Sequence, residues 1–220
     1  MRKCGSWWGC NSFRMTVTIT RDEAAQILRE VEANLCADLY KSRFDEAHAA
    51  IIVPRLIACL GLQDTDILRR ALSGLHTIGP LAAASIDFVT KLMFHCDTIV
   101  AQNATLTLAA VAWRCPERAI KPLVHAASIP ELQKPALFSL ISFGKAAIFA
   151  TEVFTTAFES RDARMRRLAL RGLKEIGADP NAMQTLLERA QNDSNKQVRA
   201  AAERFILSAK SNRLATNPHA

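Results

Sequence analysis

Histidine and cysteine, the side chains that carry much of enzyme and metal chemistry, are scattered through this sequence. The five histidines are isolated from one another, at His48, His76, His95, His125 and His219. The six cysteines form no C-x-x-C pair and have no zinc-type spacing from a histidine: Cys4, Cys10, Cys36, Cys59, Cys96 and Cys115. We therefore expect no metal site, and we interpret most of the cysteines as small core residues with reduced thiols.

The nearest approach to a catalytic pair is His95 beside Cys96. Adjacent residues on a helix diverge by about 100°, so the two side chains would not face one site. The sequence also lacks the G-x-G-x-x-G, P-loop, G-x-S-x-G and H-E-x-x-H motifs. These observations predict a protein that is not an enzyme and needs no cofactor.

Basic side chains form the one pattern that suggests a functional surface. Arg164, Arg167, Arg171 and Lys174 are spaced by three, four and three residues, which places them on one face of a helix. The formal net charge is +7, and residues 111–220 carry 17 basic and 10 acidic side chains. Such a stripe attracts an acidic protein or a polyanion, and a solvated face is the alternative interpretation. No aromatic residue interleaves with it, which argues against single-stranded nucleic acid.

The helix that carries the stripe belongs to an internal repeat. The segments ALSGLHTIG at 71–79 and ALRGLKEIG at 169–177 are near copies. Five alanines, which we call the anchor alanines, recur at spacings of 33, 32, 33 and 33: Ala71, Ala104, Ala136, Ala169 and Ala202. Apolar residues stand four positions before and after each anchor, on the same helix face. The pattern predicts helices that neighbours approach closely at a small residue.

Each anchor helix is preceded by another apolar periodic segment. These segments run roughly over 45–60, 80–94, 116–127, 145–158 and 180–190. Seven residues before the anchors, most repeats have a side chain that can cap the helix: Asp64, Asp97, Asp162 and Asn195, with Ile129 as the exception. Pro135 predicts a kinked or shortened third anchor helix unless that helix begins just before it.

The order of helix, short turn with Asp, and Arg three residues before a buried Ala resembles the HEAT repeat family, including its short bacterial forms. The motif reads Asp162-x-x-Met165-Arg166-x-x-Ala169 and Val198-Arg199-x-x-Ala202. The resemblance covers about residues 45–210, and Leu68, Ala101 and Gln133 replace the arginine in the earlier repeats. It implies an all-α fold, an α-solenoid of about five HEAT-like helical pairs, with residues 21–40 as an N-terminal cap helix.

The resemblance also implies a scaffold or adaptor that binds a protein partner, acidic in character, through a concave surface lined by the second helices. We predict six partner-binding residues there: Arg69, Lys134, Arg164, Arg167, Arg171 and Lys174. Binding of a nucleic-acid phosphate backbone through the basic C-terminal repeats is the alternative. A HEAT-like DNA glycosylase or lyase is a third interpretation, but it requires an acidic or nucleophilic groove residue that the sequence does not place. Trp113 has no acidic neighbour before Glu117, and we expect it to pack at a joint between repeats.

Three segments follow from these patterns. Residues 1–19 are expected to be disordered or to reflect a misassigned start, with Met15 as the alternative start; residues 20–210 form the solenoid, and 211–220 a disordered tail. Thr20 and Glu23 have the spacing of a capping box at the cap helix.

Lys145 and Glu152 interrupt the longest apolar stretch, which predicts no membrane insertion. The lack of a secretory leader predicts a cytoplasmic protein. The oligomeric state and the partner's identity stay open.

Overall fold

The computed structural model describes residues 19–38 and 45–216. Within these ranges the regular structure is helical and contains no β-strand, so the predicted all-α class is confirmed. The chain divides into two compact units, Met1–Arg114 and Cys115–Ala220. The expectations for residues 1–18 and 217–220 lie outside the described residues.

The first unit contains helical pairs covered by one additional helix. Its elements are α1 (Arg21–Asp38), α2 (Glu46–Cys59), α3 (Thr65–Ile78), a 3-10 helix (Gly79–Ser85), α4 (Ile86–Leu92) and α5 (Thr98–Val111). Helix α1 contacts α2 and α3, and α3 contacts α5, which in turn contacts α4. Helix α1 thus covers the first pair as the predicted cap helix. Its start has the capping box, because the Glu23 N–H donates to Thr20 Oγ1 and the Thr20 N–H donates to Glu23 Oε2.

The second unit consists of three further helical pairs. It contains α6 (Glu117–Ala126), α7 (Pro130–Ser142), a 3-10 helix (Gly144–Ala150), α8 (Thr151–Phe158), α9 (Ala163–Glu175), α10 (Gln184–Gln191) and α11 (Lys196–Thr216). Contacts within pairs join α6 to α7, α8 to α9 and α10 to α11, and contacts between pairs join α9 to both α7 and α11. The second helix of each pair therefore carries the stacking in this unit.

The anchor alanines lie within these second helices, in α3, α5, α7, α9 and α11, and each is 0% exposed. The apolar residues four positions away are buried as well, except Met165 and Ile206, which are half-buried. A methyl group at each anchor leaves room for the neighbouring helix. The 33-residue register predicted from the sequence is therefore the register of the core.

The predicted capping column is also present. The side chains of Asp64, Asp97, Asp162 and Asn195 each accept a hydrogen bond from a backbone N–H in the first turn of the following helix. Ile129 makes no such bond, and Pro130 follows it at the first helical position. Four of the five anchor helices thus begin at a polar side-chain cap.

The first helices differ from the continuous segments that periodicity predicts. Two of them begin with a 3-10 helix whose first residue is a glycine with positive φ. These glycines are Gly79 (65°) and Gly144 (53°). Ala82 and Ala147 interrupt the helical geometry with nearly identical dihedrals before the α-helix proper begins. Both alanines are fully buried. Tertiary packing therefore decides where the 3-10 helix changes to an α-helix, and apolar periodicity in the sequence does not reveal this position.

Three boundaries also differ from the predicted ones. Helix α10 begins at Gln184 rather than near Pro180, after a series of turns. Helix α7 starts at Pro130 and continues past Pro135, where proline removes one i to i−4 hydrogen bond in the second turn. Helix α11 continues to Thr216, beyond the predicted end at residue 210. No described helix is both long and apolar enough to cross a membrane.

Candidate functional site: a basic groove in the second unit

A groove with a volume of about 770 Å³ lies in the second unit, and we call it the basic groove. It is lined by three consecutive second helices, α7, α9 and α11, and by the cap residue of α9. Its lining includes seven basic side chains and two acidic ones. The basic residues are Lys134 on α7, Arg164, Arg167, Arg171 and Lys174 on α9, and Lys196 and Arg204 on α11.

Helix α9 presents its basic residues to the groove because its other face is fixed in the core. Ala169 and Leu173 are fully buried, and Gly172 lies against the ring of Phe154 on α8. A helix held on that side must direct the residues at the alternative three- and four-residue spacing toward solvent. Arg164, Arg167, Arg171 and Lys174 have that spacing and are all exposed.

Most of the positive charge in the basic groove has no carboxylate partner. Lys174 Nζ lies 4.0 Å from Glu175 Oε1. Arg167 Nη1 donates a hydrogen bond of 2.6 Å to Gln197 Oε1, which links α9 to α11. The Asp162 carboxylate accepts the backbone N–H of Arg164 at 2.8 Å as the helix cap. Among the described residues, six of the seven basic side chains of the groove form no ion pair: Lys134, Arg164, Arg167, Arg171, Lys196 and Arg204. The groove therefore keeps an uncompensated positive field.

Five of the six residues predicted as partner-binding line this one groove: Lys134, Arg164, Arg167, Arg171 and Lys174. The sixth, Arg69, belongs to α3 of the first unit, where its Nη2 lies 3.8 Å from Asp66 Oδ1. Lys134 and Arg167 occupy equivalent positions of two successive repeats, on α7 and α9. The structure places both in the lining of this one groove.

The sequence-based prediction did not include Phe138, Lys196 and Arg204, which also line the groove. Phe138 is 40% exposed. No aromatic residue interleaves with the basic stripe on α9 itself, but the neighbouring helix α7 contributes this ring to the same groove. Phe138, Arg171 and Arg204 all stand two residues after an anchor alanine. Comparison of that column across the repeats would have identified Phe138 and Arg204, but not Lys196.

One arginine of α9 lies outside the groove lining. Arg166 pairs with Asp193 in the turn before α11, and both side chains are largely buried. Its hydrogen bonds hold the pKa of the Asp193 carboxyl below its ordinary value, and the pair raises the pKa of Arg166. This residue is the arginine of the repeat motif, and it connects two successive repeats.

Residues considered for chemistry are not assembled into a catalytic or metal site in the described structure. His95 Nδ1 accepts the backbone N–H of Asp97 at 3.0 Å, and Cys96 beside it is exposed. Among the described residues, no three His, Cys, Asp or Glu side chains come close enough to hold a metal ion. Trp113 was expected to pack at a joint, but it is 56% exposed, because it follows the last turn of α5 on the solvent side.

Comparison with known proteins agrees with this architecture. Residues 127–206 match the family model described as HEAT repeats. A designed armadillo repeat protein in complex with the peptide (KR)4 matches the structure with a TM-score of 0.61 at 15% identity, over 86% of this chain and 90% of that one. No curated protein sequence matches the chain significantly. The likeness to the armadillo protein shows the α-solenoid fold, and the family-model match identifies HEAT repeats within residues 127–206.

Proposed function

We propose that this protein is a non-enzymatic binding protein whose basic groove holds an acidic segment of a partner protein. The observation that carries the proposal is the set of six exposed basic side chains without a carboxylate partner, contributed by three consecutive second helices. Charges that are already paired add little to recognition, whereas unpaired ones are available to carboxylates of a ligand.

The armadillo comparison supports a peptide as the ligand. The designed protein shares the fold and is in complex with a peptide of alternating lysine and arginine. A solenoid of this kind therefore accommodates a charged peptide. The lining of the basic groove has the opposite sign to that peptide, so charge complementarity favours an acidic segment here.

The proposal is tested with a fluorescein-labelled oligoglutamate peptide and fluorescence anisotropy. Replacing Arg164, Arg167 and Arg171 together by Glu should abolish binding while helicity by circular dichroism stays unchanged. A matched pair of single reversals sharpens the result: Arg171→Glu in the groove should weaken binding much more than Lys121→Glu, an exposed residue on α6 outside it. Equal effects of the two reversals would show that the response reports net charge and not the groove.

Nucleic-acid binding through phosphates is the second candidate, because the same excess of basic side chains attracts a polyanionic backbone. It predicts gel-shift binding of duplex DNA that falls by about tenfold or more between two moderate salt concentrations, with little sequence preference. Tight duplex binding that exceeds binding of the oligoglutamate peptide would favour this candidate over the protein segment.

A further inference from the structure

The basic groove is not uniformly charged, and its apolar part suggests a more specific ligand. Phe138 lies one helical turn after Lys134 on α7, so the two side chains share a face. At 40% exposure, the ring is incompletely covered by the protein. A large aromatic side chain left partly open inside a groove is a typical anchor point for a ligand side chain.

Helix α11 contributes small side chains to the groove lining between its two basic residues. Ala200 and Ala201 stand between Lys196 and Arg204, and both alanines are half-buried. On α9, Leu168 contributes an apolar side chain between Arg164 and Arg171. Met165 and Leu170 of α9 line it as well, so the groove combines positive charge with an apolar lining of one aromatic ring, aliphatic side chains and two methyl groups.

This combination distinguishes between classes of polyanion. A chain of carboxylates or phosphates alone would use the basic residues but would leave the apolar lining in contact with water or with charged groups, which is unfavourable. Single-stranded nucleic acid would stack successive bases on several aromatic side chains. Phe138 is the one aromatic residue among those that line the groove.

We infer that the basic groove selects acidic protein segments that carry an aromatic or large aliphatic residue among their carboxylates, with Phe138 as the specificity-determining residue. The inference rests on the proposed function, since it assigns a preference to the same groove. The ligand's carboxylates pair with Lys134, Arg164 and Arg171, and its apolar side chain contacts Phe138 and the alanines of α11.

The test compares two labelled peptides of equal length and charge, a short oligoglutamate with one central tryptophan and the same peptide with glycine at that position. Anisotropy titrations are made with the unaltered chain, Phe138→Ala, the conservative Phe138→Leu, and Phe149→Ala as the matched control. Phe149 is 89% exposed, belongs to the same unit and lies outside the groove lining.

The unaltered chain should bind the tryptophan peptide about five- to tenfold more tightly than the glycine peptide. Phe138→Ala should remove this preference, Phe138→Leu should keep part of it, and Phe149→Ala should leave it intact. Since Phe138 is partly exposed, its truncation is not expected to unfold α7, which circular dichroism checks.

The possible failures are distinguishable. If both peptides bind equally and Arg171→Glu weakens both, the proposed function stands and this inference is wrong. If neither peptide binds, the proposed function itself is wrong. A single-stranded oligonucleotide that binds more tightly than either peptide, and loses affinity in Phe138→Ala, would overturn the inference in favour of base stacking.

Discussion

Arg166 and Asp193 form a bidentate ion pair between α9 and the turn that precedes α11. Arg166 Nε lies 2.7 Å from Asp193 Oδ2, and Arg166 Nη2 lies 2.8 Å from Asp193 Oδ1. The side chains are only 16% and 8% exposed. Arg166 Nη1 donates in addition to the backbone carbonyls of Ser160 and Arg161. Such a pair joins two repeats through a geometry that lysine does not reproduce.

Replacing Arg166 by Ala should lower the free energy of unfolding by about 3 kcal/mol, because it leaves Asp193 charged and largely buried without its partner. Urea denaturation followed by circular dichroism measures the change. The control is Arg189→Ala, which breaks a bidentate pair with Glu159 of similar geometry whose side chains are each 56% exposed. This second loss should be clearly smaller, since solvent screens exposed pairs. Equal losses would mean that burial does not strengthen the first pair.

The same pair predicts a dependence of stability on pH. The folded-state pKa of Asp193 is below its ordinary value of 3.8, so the unfolded chain takes up the proton first as the pH falls. The stabilisation is present above that ordinary value and is lost as the pH falls from there through the folded-state pKa. The difference in unfolding free energy between the unaltered chain and Asp193→Asn should therefore shrink below about pH 4. A difference that stays constant down to pH 2.5 would contradict this assignment.

Gly172 should not tolerate a larger side chain. A Cβ atom at this position would lie 2.1 Å from Cε1 of Phe154, whose ring is fully buried and cannot move aside. Gly172→Ala should therefore destabilise the fold by about 2 kcal/mol. Gly74 occupies the equivalent register position on α3, where a Cβ would meet the flexible end of Leu56 at 3.2 Å. Gly74→Ala should change stability by less than about 1 kcal/mol, because alanine's helix propensity offsets the tight contact. Thermal melts of the two variants check this difference, and Gly172→Ala combined with Phe154→Leu should recover part of the loss.

Thiol reactivity should separate two cysteines of the first unit. Burial raises the pKa of the Cys59 thiol to about 11, whereas Cys96 is exposed. Because the thiolate is the reactive species, iodoacetamide at neutral pH should modify Cys96 well before Cys59 in the folded chain. Peptide mapping by mass spectrometry assigns the modified sites, and denaturation in urea should remove the difference. Rapid labelling of Cys59 under native conditions would show that α2 opens readily.

The sequence allows the register of the core to be predicted because the anchor alanines, their apolar neighbours and the Asx caps are local patterns. The positions of Lys134 and Arg167 in one groove follow from the same register. Phe138 was not predicted, because the charge pattern of α9 alone does not show which side chains the neighbouring helix α7 contributes to the groove. The 3-10 openings at Gly79 and Gly144 could not be predicted, since they depend on the packing of Ala82 and Ala147 against other helices.

Arg166 and Arg199, at equivalent positions of successive repeats, each donate hydrogen bonds to the turn that precedes their own helix. Arg199 Nη1 donates to the carbonyls of Asp193 and Ser194, just as Arg166 Nη1 does to those of Ser160 and Arg161. These contacts span only five or six residues, so closing them costs little chain entropy. Leu68, Ala101 and Gln133 stand at the equivalent positions of the earlier repeats and lack a guanidinium. Because folding of a repeat protein can nucleate at any repeat, we expect these local hydrogen bonds to favour nucleation at the last two repeats, with order spreading from there toward α6.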